Sequence, residues 1–192
     1  MIEIRMHGRG GQGTVVASKA LGIAFFLEGR YIQSYPQYGV ERRGAPVQAY
    51  LRVAEPGEEE FVRSQIYEPD HIIILDPTLL DQINVLEGLK PGGWVVINSP
   101  EPPEKLNIPD IYNVATVDAS AIAIKYRLGT KAQPIVNTAI LGGYAGATKL
   151  VSIENIKEAI KQVVPIKPEE NAKAAEEAYH SVKIRNASEV KV

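Results

Sequence analysis

The sequence predicts an α/β fold: a three-layer α/β/α sandwich with a mostly parallel sheet, an antiparallel element and a helical C-terminus. Three observations carry this. The chain opens on alternating apolar and polar residues that run into a glycine-rich turn and then a helical pattern. Later aliphatic runs, "HIIIL" and "WVVI", have the composition of strands buried on both faces. Strands alternate with helices early in the chain, and helices dominate late. A chain of 192 residues suits one domain with a sizeable core, here expected over 1–186 with 187–192 as a frayed tail.

Each element follows from its pattern. In "IEIRMHG", Ile2, Ile4 and Met6 alternate with Glu3, Arg5 and His7, which reads as a first strand ending at Gly8. "QGTVVASKALGIAFFLEG" carries helical spacing and stops at Gly29; strand, glycine turn and helix together make a Rossmann-like start. "RYIQSY", broken at Pro36, and Ala45 to Val53 read as two strands whose connection is too short for a crossover helix, so they pair antiparallel. "DHIIILD" is a buried parallel strand, "PTLLDQINVLEGLKPGG" a helix with a glycine stop, and "WVVINS" a further strand. "IYNVATVDAS" supplies the last strand, and Asp118 or Ser120 caps the helix "AIAIKYRLG". From Gln133 three helical stretches follow, "PIVNTAILGGYAGATKL", "SIENIKEAIKQVV" and "EENAKAAEEAYHSV".

Composition narrows the chemistry. A net charge of −2 gives no reason to expect nucleic acid or an anionic membrane. With no cysteine, the chain offers no disulfide, thiolate metal site, cysteine nucleophile or cysteine-held iron–sulfur cluster. No apolar run is long enough for a signal peptide core or a membrane span, so a cytoplasmic protein is expected. His7, His71 and His180 show no ligand spacing and read as structural.

The stretch "GRGGQG", Gly8 to Gly13, fits G-x-G-x-x-G between a strand and a helix, where a phosphate can sit at the helix N-terminus. A dinucleotide site also needs an acidic residue about 20 positions on, and that region holds Gln33 and Ser34. A dinucleotide, another phosphate ligand and plain packing all remain open at this point. The stretch "SYPQYGVERRGAPVQAYLRV" is a shaped loop whose tyrosines and arginines suit stacking, anion contacts or an interface. It lies at the same end of the sheet as the glycine turn if the second strand runs parallel to the first. Asp76, at the carboxyl edge of a buried strand, reads first as a helix cap and second as a ligand contact. The small residues of "LGGYAGA" read as close helix packing, within the chain or against another one.

Taken in order, "IEIRMHGRGGQGTVVASKAL", "SYPQYGVERRGAPVQAYLRV", "DHIIILDPTLL", "GGWVVINS", "NTAILGGYAGAT" and "ENAKAAEEAY" resemble the gamma subunits of pyruvate:ferredoxin oxidoreductase (pyruvate synthase) and its 2-oxoacid:ferredoxin oxidoreductase relatives, over nearly the whole chain. The resemblance implies a complex that oxidatively decarboxylates pyruvate to acetyl-CoA and carbon dioxide and passes electrons to ferredoxin. It implies alpha, beta and delta partner subunits carrying thiamine diphosphate, Mg2+ and iron–sulfur clusters. This chain, catalytically inactive alone, would pack on the thiamine-binding core and hold no cofactor by itself, while sharing a coenzyme A site. Its site residues would be Gly8, Arg9, Gly10, Gly11, Gln12 and Gly13 in the turn and Tyr38, Glu41, Arg42, Arg43 and Gly44 in the loop. "ERRGAP" looks more like the pyruvate or branched-chain members than the 2-oxoglutarate or indolepyruvate ones. An exposed partner surface leaves self-association of the isolated chain open. The competing readings are an autonomous NAD(P)- or flavin-dependent oxidoreductase and a purely structural scaffold subunit.

Overall fold

The computed structural model describes residues 1–37, 43–58 and 64–188. Seven strands form one mixed sheet in the order β2-β3-β1-β4-β5-β6-β7. Strands β1 (Ile2–Arg9), β4 (His71–Ile74), β5 (Trp94–Asn98) and β6 (Asn113–Val117) make its parallel centre. Strands β2 (Tyr31–Pro36) and β3 (Pro46–Ala54) form the antiparallel wing, with β3 antiparallel to β1 as well. Strand β2 therefore runs in the same direction as β1. The loop after β2 returns to the edge where β1 ends, as the sequence requires if its two motifs are to meet.

One face of the sheet packs against the helices. Ile4, Met6, Leu51, Val53, Ile73, Val96 and Ala115 bury against α1 (Thr14–Leu27), α2 (Ala119–Lys125), α3 (Ala139–Thr148), α4 (Ile153–Val163) and α5 (Pro168–Ser181). Asp118 caps α2 by accepting from the Ala121 amide (2.9 Å), and Ser152 caps α4 by accepting from the Asn155 amide (3.2 Å). The small-residue stripe of α3 faces α5 of the same chain: a Cβ on Gly142 would overlap the Ala175 carbonyl oxygen, and one on Gly146 would come within 2.6 Å of the Tyr179 carbonyl oxygen.

The opposite face differs from expectation. Residues 77–93 were expected to form a helix, but only a 3-10 turn, Pro77–Asp81, forms, followed by linked tight turns. The cause lies in β1: the buried Arg5 guanidinium donates to the carbonyls of Ile66 (3.2 Å), Val85 (3.1 Å) and Glu87 (2.5 Å). The Val85 carbonyl would otherwise accept the Leu89 amide in a helix, and the charge-assisted bond from Arg5 holds it elsewhere. Leu79, Val85 and Leu89 still cover Ile72, Ile74, Val95 and Ile97, so the second outer layer is built of turns.

A second correction concerns the C-terminus. Asn113–Val117 is not the last strand; Lys183–Arg185 adds β7 antiparallel to β6. The Ala187 amide then donates to the Asn113 side chain (2.9 Å) and the Ser188 amide to the Asp110 carbonyl (2.8 Å), while 189–192 lie outside the described residues.

Candidate functional site

The glycine turn sits at the carboxyl edge of the sheet, where β1 lies between β3 and β4 and a crevice opens. Its glycines do different work. A Cβ on Gly8 would overlap the Thr14 hydroxyl, and one on Gly13 would overlap the Asn137 carboxamide. Gly13 also takes a left-handed backbone (φ 77°, ψ 30°) before α1. At these two positions the close neighbour is the protein itself. Gly11 (φ 94°) faces open space apart from the Arg43 stem, 3.9 Å from where a Cβ would stand.

The two sequence motifs form one unit. The Gly10 amide donates to the Ala45 carbonyl (2.9 Å), and the Gly44 amide donates to the Gly10 carbonyl (3.0 Å), making a short parallel bridge between Gly10 and Arg43. Tyr38, Glu41 and Arg42 lie outside the described residues.

Arg9, at the end of β1, spends its guanidinium on the surrounding chain. It donates to Asp76 (3.0 Å), the Gly44 carbonyl (3.1 Å), Thr78 (2.7 Å) and Gln82 (2.8 Å). Gln12 accepts from the Arg9 amide (2.8 Å) and donates to Asp76 (3.0 Å). Asp76 is a cap, as the first of its two readings has it, and also an anchor within the chain. Through one oxygen it accepts from the Thr78 amide (3.0 Å) and hydroxyl (2.6 Å), and through the other it anchors Arg9 and Gln12. Burial alone would raise its pKa; the hydrogen bonds from Thr78 and Gln12 and the Arg9 charge outweigh burial and hold the carboxyl below its ordinary range. Arg43 is committed far less: it is exposed, and among the described residues its side chain donates to Gln133 alone, at 3.3 Å.

These groups wall a cavity of about 620 Å³, floored by Leu75, Asn98 and Ser120 and closed on its far side by the 129–136 segment. Sequence reasoning did not find Asn98, Ser120 as a wall, or the 129–136 segment. Asn98 locks the floor: its amide donates to the Leu75 carbonyl (3.1 Å) and Ser120 hydroxyl (3.0 Å), and its oxygen accepts from the Ser120 amide (3.2 Å). Only the position of "WVVINS" before a turn could have marked Asn98 as an edge residue. The cavity offers a cation at Arg43, glycine backbone at Gly10 and Gly11, and an apolar wall at Ile135 and Val136. That set suits a ligand with an anionic end and an uncharged body.

His7 and His71 lie outside this cavity and are buried. His7 accepts from Arg5 Nε (3.1 Å), and burial, then the Arg5 charge, lowers its pKa to about 3. His71 Nδ1 pairs with the Tyr144 hydroxyl (2.8 Å), and burial lowers its pKa to about 4. Among the described residues no cluster of histidine, aspartate and glutamate is arranged to hold a metal, and no helix is long and apolar enough to cross a membrane.

Comparison with known proteins gives the family. Pyruvate synthase subunit PorC of Methanocaldococcus jannaschii is 49% identical over 183 residues, covering 95% of this chain and 97% of that protein. The pyruvate/ketoisovalerate oxidoreductases common subunit gamma of Thermococcus kodakarensis is 48% identical, covering 94% and 96%. The crystal structure of pyruvate oxidoreductase subunit PORC from Thermotoga maritima superposes with a TM-score of 0.79 at 30% identity, covering 96% of this chain and 98% of that one. The sequence model of the pyruvate ferredoxin/flavodoxin oxidoreductase family matches residues 3–181, and with the shared fold and full-length relatives it places this chain in that family.

Proposed function

We propose that this chain is the gamma subunit of a multi-subunit pyruvate or branched-chain 2-oxoacid:ferredoxin oxidoreductase, and that its carboxyl-edge cavity forms one wall of the coenzyme A site. The observation that carries the reading is the joining of the glycine turn to the Arg43–Ala45 segment around one cavity. Arg43 is the cation for the coenzyme's phosphates, and Gly10 and Gly11 let backbone approach them. Arg9, Gln12 and Asp76 hold the turn and loop together. On this reading the chain does no chemistry alone. Without cysteine it has no thiolates for clusters; the family reading assigns thiamine diphosphate, Mg2+ and clusters to alpha, beta and delta partners, from which electrons leave for ferredoxin.

An autonomous dinucleotide enzyme is the weaker reading. The position of a ribose-binding carboxylate holds Gln33, which accepts from Arg52 (3.4 Å), and Ser34, paired with Ser18 (2.8 Å). The test is reconstitution. Coenzyme A-dependent viologen reduction by pyruvate should require this chain together with its partners and be absent from the isolated chain. Micromolar NAD(P) binding by the isolated chain would overturn the proposal.

A further inference from the structure

We propose that Gln133 is a built-in competitor for Arg43: its carboxamide holds the guanidinium across the cavity, and a phosphate-bearing ligand binds by taking that cation from it. This rests on the coenzyme-facing reading above and adds the contact that the ligand must break.

The pair joins two units that are otherwise separate. One is the glycine turn with the 43–45 segment, tied together through the Gly10 and Gly44 amides and through Arg9. The other is a small hairpin at 128–135. There the Ile135 amide donates to the Leu128 carbonyl (3.0 Å), and Thr130 and Gln133 exchange amide bonds of 3.1 and 3.2 Å. Among the described residues, Arg43 to Gln133 is the one hydrogen bond between these two units, and both side chains line the cavity.

Both partners are held from behind. The Gln133 amide also donates to the Thr130 hydroxyl (3.0 Å), and Gly129, at φ 78°, passes so near that a Cβ on it would stand 2.4 Å from the Gln133 carbonyl oxygen. The carboxamide is therefore carried on a fixed turn. On the facing side the Arg43 stem rests against Gly11, 3.9 Å from where a Cβ would stand.

The contact itself is suited to exchange. At 3.3 Å it is long for an N–H···O bond, both residues are exposed, and the acceptor is neutral. A phosphate oxygen is a charged acceptor, bonds a guanidinium more strongly, and can share two of its N–H groups with a neighbouring oxygen. Arg9 permits no such exchange, because its partner Asp76 is itself charged and three further bonds fix its guanidinium. The cavity thus holds one locked cation and one releasable one. An uncharged ligand leaves the Arg43 contact closed, a phosphate opens it, and Gln133 lowers the affinity for the phosphate by the strength of the bond that is broken.

The experiment measures the Kd of coenzyme A by titration calorimetry on the intact, purified complex without pyruvate. Gln133→Ala removes the competitor and should tighten binding about two- to fivefold, with the melting temperature unchanged. In an Arg43→Ala background the same substitution should leave Kd unchanged, since the cation it competes for is gone. Unchanged or weaker binding in Gln133→Ala alone overturns the proposal and makes Gln133 a bystander or a ligand contact. Equal tightening with and without Arg43 also overturns it and makes Gln133 a plain obstruction. Failure of the coenzyme-facing reading gives a different result: Arg43→Ala alone binds coenzyme A as tightly as the unaltered complex.

Discussion

Replacing Arg9 by alanine tests whether the glycine turn and the arginine loop are held as one unit. The substitution removes four hydrogen bonds. The bond to Asp76 joins two charges whose side chains are 19% and 16% exposed, so its loss costs about 1.5–2 kcal/mol. The bonds to Gly44, Thr78 and Gln82 are exposed, and water replaces most of their energy, leaving about 0.5–1 kcal/mol together. The sum, about 2–3 kcal/mol, falls on the contact between turn and loop. Amide hydrogen exchange reads it directly, because the Gly10 and Gly44 amides are bonded across that contact. Their protection should fall about 30- to 100-fold, at 1.4 kcal/mol per tenfold, while the amides of Leu51 and Ile73 change only as the whole fold does. Arg9→Lys keeps the charge but not the fork and should recover little of the loss. Unchanged protection at Gly10 and Gly44, or a loss no greater than in the core, would refute the reasoning.

The other predictions are simpler to state. Gly142→Ala drives a Cβ into the Ala175 backbone and should destabilise the chain by about 3 kcal/mol in urea unfolding; a loss under 1 kcal/mol would mean that α3 and α5 are free to separate. Gly11→Ala should cost about 1 kcal/mol, from its positive φ alone, whereas Gly13→Ala adds overlap with Asn137 and should cost about 3 kcal/mol; equal costs would contradict the separate roles given to them. His7 and His71 stay neutral in the folded chain to about pH 3 and 4, but protonate near pH 6.5 when unfolded. Below pH 6.5 the unfolded state therefore binds the extra protons, and stability should fall as pH falls, by up to about 1.4 kcal/mol per unit for each histidine, down to about pH 4. Above pH 6.5 the two contribute no pH dependence, and flat stability between pH 7.5 and 5 would count against their burial as neutral groups.

Much of this was legible in the sequence because its signals are local. Glycine at 8, 10, 11 and 13 marked the turn, period-2 and period-3.6 patterns marked the strands and late helices, and the short connection after Pro36 marked the antiparallel wing. What escaped depends on distant partners. Leu79, Leu80, Ile83 and Leu86 are spaced well enough for a helix, but Arg5 from the first strand claims the Val85 carbonyl that the helix needs. Glu3, Arg5 and His7 alternate with the apolar residues of β1, yet Arg5 and His7 are themselves only 6% and 2% exposed. Strand β7 is three residues long and forms only because β6 presents an edge to it. At the site, residue types pointed to the turn and the loop, but only the fold shows that they bond to each other, that Asp76 caps and anchors at once, and that Arg9 faces inward while Arg43 does not.

The account stands most directly on Arg43→Ala in the assembled oxidoreductase, with Michaelis constants measured separately for coenzyme A and pyruvate. Losing one charge-assisted contact to a phosphate, worth about 1.5–3 kcal/mol, should raise the coenzyme A KM about 10- to 100-fold and leave subunit content and the pyruvate KM unchanged. An unchanged coenzyme A KM in a fully assembled complex would contradict the claim that this cavity faces the coenzyme.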